Sequence, residues 1–203
     1  MAGGKLRATG SPMESAGKVE SMARALLIID IQRDYFPGGA YPLADPDEAA
    51  RTARRVLDAF RTTGEPVVHL QHVWDATDAT FMRPGTKGVE IHPAVEPVAG
   101  ETVLEKAAPN GFVGTPLEQH LRAAGVDGLV VGGMMSSMCV DATVRAAADL
   151  GFQVTVVHDA CAAPALEFGG RSIDGATVHA AFMAALADGY AEVVSGEELL
   201  GAG

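Results

Sequence analysis

Apolar and polar positions along this chain fall into alternating blocks: short apolar runs separated by longer amphipathic stretches. The first run is "ARALLIIDI" (23–31), followed by a "PGG" turn. A run of that length and composition predicts a strand buried on both faces. In "DPDEAARTARRVLDAFRTTG" (45–64), Ala49, Ala53, Val56, Leu57 and Phe60 recur at helical spacing. Asp45 at the N-cap, Pro46 at the first helical position and Gly64 past the last turn mark the ends of this helix. "EPVVHLQHVW", "TVLEK", "DGLVVGG", "QVTVVHDA" and "AEVVS" predict five more strands. The stretches between the later ones predict helices. "TPLEQHLRAAG" has Thr115 as N-cap and Gly125 past its end, residues 138–150 are closed by Gly151, and "DGATVHAAFMAALADG" follows. Strands alternating with helices imply right-handed βαβ units, hence an α/β chain with a parallel sheet covered on both faces. Strand order does not follow from spacing. Residues 75–101, rich in Pro and Gly, read as a long loop of the kind that covers an active site.

Composition narrows the picture. The chain has 203 residues, 48% of them hydrophobic, enough for one core. We read residues 1–22 as a flexible tail and 23–203 as a single domain. A net charge of −11 argues against a nucleic-acid partner. No apolar stretch reaches the roughly 18 residues of a membrane span, and the N-terminus lacks the apolar segment of a secretory signal. Two cysteines, Cys139 and Cys161, make neither a disulfide framework nor a zinc site, and a reducing cytoplasm is the natural compartment.

In that setting a lone cysteine is either packing or chemistry. Ligands of open parallel sheets bind outside the carboxyl ends of the strands. Asp30 ends the first predicted strand, Lys106 the third, and Cys139 follows the fourth. Each alone has a bland reading: a turn residue, a rim charge, a core thiol. Together they suit nucleophilic catalysis, because only the thiolate attacks. A neighbouring ammonium and a helix N-terminus stabilise the thiolate, and a carboxylate accepts its proton. In "GGMMSSMCVDATVRAA", Ser136 or Ser137 is expected to cap the helix, placing Cys139 in its first turn. Gly132 and Gly133 are expected to turn the chain just upstream.

These segments resemble the isochorismatase-like cysteine hydrolases, a family that includes nicotinamidase, N-carbamoylsarcosine amidohydrolase and streptothricin hydrolase. The resemblance runs over roughly residues 24–200 through "LLIIDIQRDY", "RPGTKGVEIHPAVEP", "VLEKAAPNGFVGTPLEQHLR" and "VVGGMMSSMCVDATVRAAADLGF". It implies a three-layer α-β-α fold with a mainly parallel, six-stranded Rossmann-like sheet. It also implies Asp30 as general base, Lys106 as the orienting charge and Cys139 as nucleophile. A cis peptide between Met134 and Met135 is implied as well, with the Met135 and Cys139 amides as oxyanion hole. The resemblance implies no cofactor, and it implies a homo-oligomer, dimer or tetramer. The nicotinamidase Asp-x-His metal motif is absent: "HVWDATDAT" stands there, and Asp75, Asp78 and His92 do not reproduce its spacing. We therefore expect no metal and a substrate other than nicotinamide.

Tyr35, Phe36, Trp74, Phe112, Met134 and Met138 are the candidate substrate-binding residues. Arg33, Arg83 and Lys87 are the cations available to a substrate carboxylate. Cys161, His69 and the His158–Asp159 pair read as structural, and Gln32 either orients Asp30 or starts a turn. The expected activity is hydrolysis of a small-molecule C–N bond through a thioester. The alternatives are vinyl-ether hydrolysis by Asp30 and Lys106 alone, and a redox-sensing binding module built on Cys139.

Overall fold

The computed structural model describes residues 23–201. The tail expected over residues 1–22 lies outside them. In chain order the strands are β1 (Arg24–Ile29), β2 (Val67–His72), β3 (Thr102–Lys106), β4 (Gly128–Met134), β5 (Gln153–Ala162), β6 (Leu166–Phe168), β7 (Arg171–Ile173) and β8 (Glu192–Val194). The helices are α1 (Pro46–Thr63), α2 (Leu117–Ala123), α3 (Asp141–Asp149), α4 (Gly175–Ala187) and α5 (Gly196–Gly201). Six strands form one Rossmann-like sheet in the order β3-β2-β1-β4-β5-β8. Every neighbouring pair in it is parallel.

The burial pattern explains the layers. Along β1, Leu26 and Ile28 enter a core with Val56, Leu57 and Phe60 of α1, against which Leu199 of α5 packs. Ala25, Leu27 and Ile29 enter the opposite core, with Leu117 and Leu121 of α2, Val144 of α3, and Met183 and Leu186 of α4. Strand residues alternate between faces, so a central strand covered on both sides must be apolar throughout. The strand order reverses between β1 and β4, which makes a crevice at the carboxyl ends of those two strands.

Several local expectations are corrected. Gly132 and Gly133 do not turn the chain; they are the penultimate residues of β4. Gly133 has φ 155°, and a Cβ there would overlap the Ile29 backbone, so glycine is what lets β4 lie close against β1 at this point. β5 runs on to Ala162, so Cys161 is a strand residue, not a loop residue. α2 starts at Leu117, with Pro116 at its N-cap and Thr115 Oγ1 accepting the Leu117 N–H at 3.3 Å. Asp45 precedes α1 as expected, but its side chain makes no cap hydrogen bond. The β6–β7 hairpin was not anticipated; strands of three residues are too short to show a period.

The long loop after β2 is docked along its length. Arg33 N–H donates to Glu90 O at 3.0 Å and His92 N–H to Ile31 O at 2.8 Å. Met82 N–H donates to the buried Asp34 carboxylate at 2.6 Å. Met82 and Val95 are fully buried. A Cβ at Gly88 would overlap the Asp34 carboxylate, so the loop packs on residues 31–34 as a fixed wall. No helix among the described residues is long and apolar enough to cross a membrane.

Candidate active site

Asp30 is the first residue beyond β1, and its backbone is left-handed, with φ 49°. A non-glycine residue there costs of order 1–3 kcal/mol and persists only where its surroundings hold it. Here the Asp30 N–H donates to Leu70 O at 3.0 Å. Lys106, the last residue of β3, lies two strands away. Its side chain crosses the end of β2 and brings Nζ to 2.7 Å from Asp30 Oδ2, both side chains fully buried. The same Nζ lies 3.4 Å from Cys139 Sγ and 3.0 Å from Ala108 O, and 3.1 Å from His72 Nδ1. The structure thus brings together Asp30, Lys106 and Cys139, with His72, which the sequence places at the active-edge end of the second strand, beside Lys106. The Asp30–Lys106 contact is ionic: among the described residues no hydrogen bond of regular geometry reaches either Asp30 oxygen.

Cys139 sits in a π-helical turn, Ser136–Val140, that leads into α3. The helical run starts two residues earlier than expected. Neither serine caps it: no side chain caps the turn or α3. The buried Ser136 Oγ instead pairs with His179 Nδ1 at 2.8 Å, tying the turn to α4. The Met134–Met135 peptide is cis, where the resemblance implied it.

Burial dominates the electrostatics. It raises the Asp30 carboxyl, against the opposing pull of the Lys106 ammonium. Burial, and then the Asp30 charge, hold the Cys139 thiol well above its ordinary value despite Lys106. The resting sulfur is therefore a thiol, and the thiolate expected from its neighbours needs a base to form. Burial, then the Lys106 charge, lower His72 to about 4, so its imidazole is neutral. Asp30, His72 and Cys139 place donor atoms within 4.8 Å of one another, a set that suits a soft cation. The Lys106 ammonium already stands in reach of all three and would have to be displaced. Asp75 and Asp78 are exposed, and His92 is stacked on Phe36 at 3.7 Å.

The candidate pocket residues divide. Tyr35 is buried, its ring centroid 6.0 Å from that of Phe81, and burial first and then the Asp30 charge raise its hydroxyl well above its usual range. Trp74 is half-buried and meets Phe81 edge-on at 5.4 Å; Phe81 also stacks on Tyr41 at 5.0 Å. Met134 is fully buried beside Met135, whereas Met138 is 47% exposed. Phe36 packs on His92, and Phe112 stacks on Phe152 at 6.1 Å within the α2–α3 core, so both have structural partners. Gln32 does not touch Asp30. It accepts the His72 N–H at 2.8 Å and donates to His72 O at 2.9 Å and Val89 O at 2.7 Å. Phe81, Ser136 with His179, and the Gln32 clamp escaped the sequence reading, because a side chain's remote partner leaves no local pattern.

The fold and this buried carboxylate–ammonium–thiol cluster define a three-layer α-β-α protein with an enzyme-like site. The isochorismatase domain model matches residues 24–198, and the chain belongs to the isochorismatase family of hydrolases. It is 49% identical over 179 residues to the isochorismatase family protein YddQ of Bacillus subtilis, covering 88% of this chain and 99% of that one. Streptothricin hydrolase of Streptomyces noursei is 41% identical over 137 residues, 68% of this chain and 53% of its own length. An isochorismatase hydrolase structure from Oleispira antarctica superposes with a TM-score of 0.86 at 44% identity, covering 91% of this chain and all of that one. The N-carbamoylsarcosine amidase of Thermoplasma acidophilum shares 28% identity and a TM-score of 0.75, over 87% and 98% of the two chains.

Proposed function

We propose that this isochorismatase-family hydrolase cleaves a C–N bond of a small amide, cyclic amide or carbamoyl compound, with Cys139 as nucleophile. The observation that carries the reading is the single Lys106 ammonium within 2.7 Å of the Asp30 carboxylate and 3.4 Å of the Cys139 sulfur. A thiol held protonated at rest needs a base, and a carboxylate raised by burial is suited to take the proton. Asp30 accepts the Cys139 proton as sulfur attacks the substrate carbonyl. The developing oxyanion is received by the Met135 and Cys139 amides, and Lys106 balances the charge on sulfur. The amine leaves with the proton from Asp30, and water then hydrolyses the thioester to acid and free thiol. The similarity to an amidase favours amide over vinyl-ether chemistry, which would leave the buried thiol idle. A redox sensor needs a low-pKa thiol, and burial raises this one.

The test is a screen of small amides, lactams and carbamoyl compounds, run with the wild type and with Cys139→Ala. Turnover lost in the variant, with an acyl adduct on Cys139 by intact mass, is the expected result. Full activity of Cys139→Ala on any compound the wild type hydrolyses would sink the mechanism.

A further inference from the structure

Lys106 faces more acceptors than it has protons. Asp30 Oδ2 at 2.7 Å, Ala108 O at 3.0 Å, His72 Nδ1 at 3.1 Å and Cys139 Sγ at 3.4 Å all surround Nζ. An ammonium donates three hydrogen bonds. Two of the four acceptors, Ala108 O and His72 Nδ1, carry no charge at any stage of the proposed reaction. The other two exchange charge: as the thiol proton moves to Asp30, the carboxylate is neutralised and the sulfur becomes anionic.

We infer that His72 is a positioning residue for Lys106. With Ala108 O it fixes two of the three Nζ protons, so that the third stays on Cys139 Sγ and meets the negative charge as it arrives there. The inference rests on the cysteine mechanism proposed above and adds to it a residue that does not itself touch the substrate carbonyl. The step balances within the site: the S–H bond breaks, an O–H bond forms on Asp30, and the Lys106 N–H groups keep their partners.

The topology explains why this residue stands here. In the order β3-β2-β1, adjacent strands lie roughly 4.8 Å apart, so β3 and β1 are about 10 Å apart and β2 lies between them. The Lys106 side chain must cross the end of β2 to reach Asp30, and His72 is the last residue of β2, paired in register with Lys106. A charged group at that crossing would repel the ammonium or compete with Asp30. A neutral imidazole with its proton on Nε2 presents Nδ1 as an acceptor, and burial beside Lys106 keeps it in that state, its pKa lowered to about 4. His72 is itself held: Gln32 grips its backbone N–H and carbonyl at 2.8 and 2.9 Å.

The experiment compares His72→Leu, which keeps bulk and removes the acceptor, with His72→Asn, whose carboxamide oxygen restores one. Each is assayed for kcat and KM on a compound found in the amide screen, and for the rate of iodoacetamide alkylation of Cys139 near neutral pH by peptide mass spectrometry. His72→Leu is expected to lower kcat and the alkylation rate by about 10–100-fold with KM little changed, the scale of a misplaced catalytic group. His72→Asn is expected to recover most of both. Circular dichroism checks the fold; should His72→Leu not fold, the comparison of His72→Asn with wild type decides. Wild-type alkylation and kcat in His72→Leu, or in its place a His72→Asn as depressed as a Lys106→Met variant, overturns the positioning role. Failure of the mechanism itself looks different: Cys139→Ala would stay active, whatever the residue at position 72.

Discussion

The two cysteines of this chain lie in neighbouring regions that share residue types and differ in outcome. Cys139 and Cys161 are both buried, at the carboxyl ends of adjacent strands, each near a histidine and an aspartate. Cys161 stays within the β5 ladder opposite Gly133, its thiol donating to Val157 O at 3.4 Å, and burial pushes it up to about 12. Nearby Asp159 is engaged by the Gly196 N–H at 2.7 Å, and the His158 and His179 rings lie 6.5 Å apart. Burial raises both thiols. What Cys139 has in addition is a carboxylate with lone pairs to spare and a fixed ammonium beside the sulfur. On the proposed mechanism a strand end and a thiol do not suffice for a nucleophile; a base within reach and a cation beside the sulfur are needed.

Removing each thiol in turn is the sharpest way to break this contrast. Cys139→Ala is expected to lower turnover by about 1000-fold or more, the scale seen when a nucleophile is deleted. Cys161→Ala, which removes only packing and a weak hydrogen bond, is expected to stay within about 3-fold by the same assay. Equal losses in the two variants would erase the distinction.

The ammonium can be tested separately from the thiol. Lys106→Met leaves the Asp30 charge buried and unpaired, so urea denaturation is expected to show a loss of about 3–5 kcal/mol. Adding Asp30→Asn removes the orphaned charge and is expected to recover much of that stability while activity remains absent. A double variant with restored activity would mean the pair is structural only.

Gln32→Leu reaches the Cys139 region through His72. It strips the buried His72 N–H of its partner and takes one of two donors from Val89 O, which keeps Gln71 Nε2, an expected cost of about 2 kcal/mol. Hydrogen exchange is expected to rise at His72 and around Val89 while the Cys161 segment of β5 is unchanged.

The smallest expected effect is in acid. A histidine whose folded pKa is lowered to about 4 takes up its proton more readily when unfolded. Its contribution is therefore present above about pH 6.5 and is lost as the pH falls toward 4. His69, His92 and His179 are also lowered, each by burial first, and act in the same direction. The His72 share is the difference between wild type and His72→Asn, read from melting temperatures across that interval. Parallel curves would remove His72 from the balance.

Much of this molecule is legible in its residues. The apolar runs from Leu26 to Ile29 and from Leu129 to Val131 mark the central strands because both faces of a covered sheet must be apolar. The helix ends announced by Pro46 and Gly64 stand where local backbone preference puts them. Asp30, Lys106 and Cys139 could be picked out because a reactive side chain at a strand's carboxyl end is unusual in an apolar context. These are properties of neighbouring residues, and sequence carries them directly. Sheet order is not such a property. Only the folded chain sets β2 between β1 and β3, and with it the imidazole of His72 beneath Lys106. Only the fold turns Gln32 away from Asp30 and onto a backbone 40 positions distant, or commits Ser136 to His179 in place of a helix cap. The protonation of Cys139 at rest follows the same rule. It depends on how completely remote segments exclude water from the sulfur, and desolvation is a sum over everything that packs there.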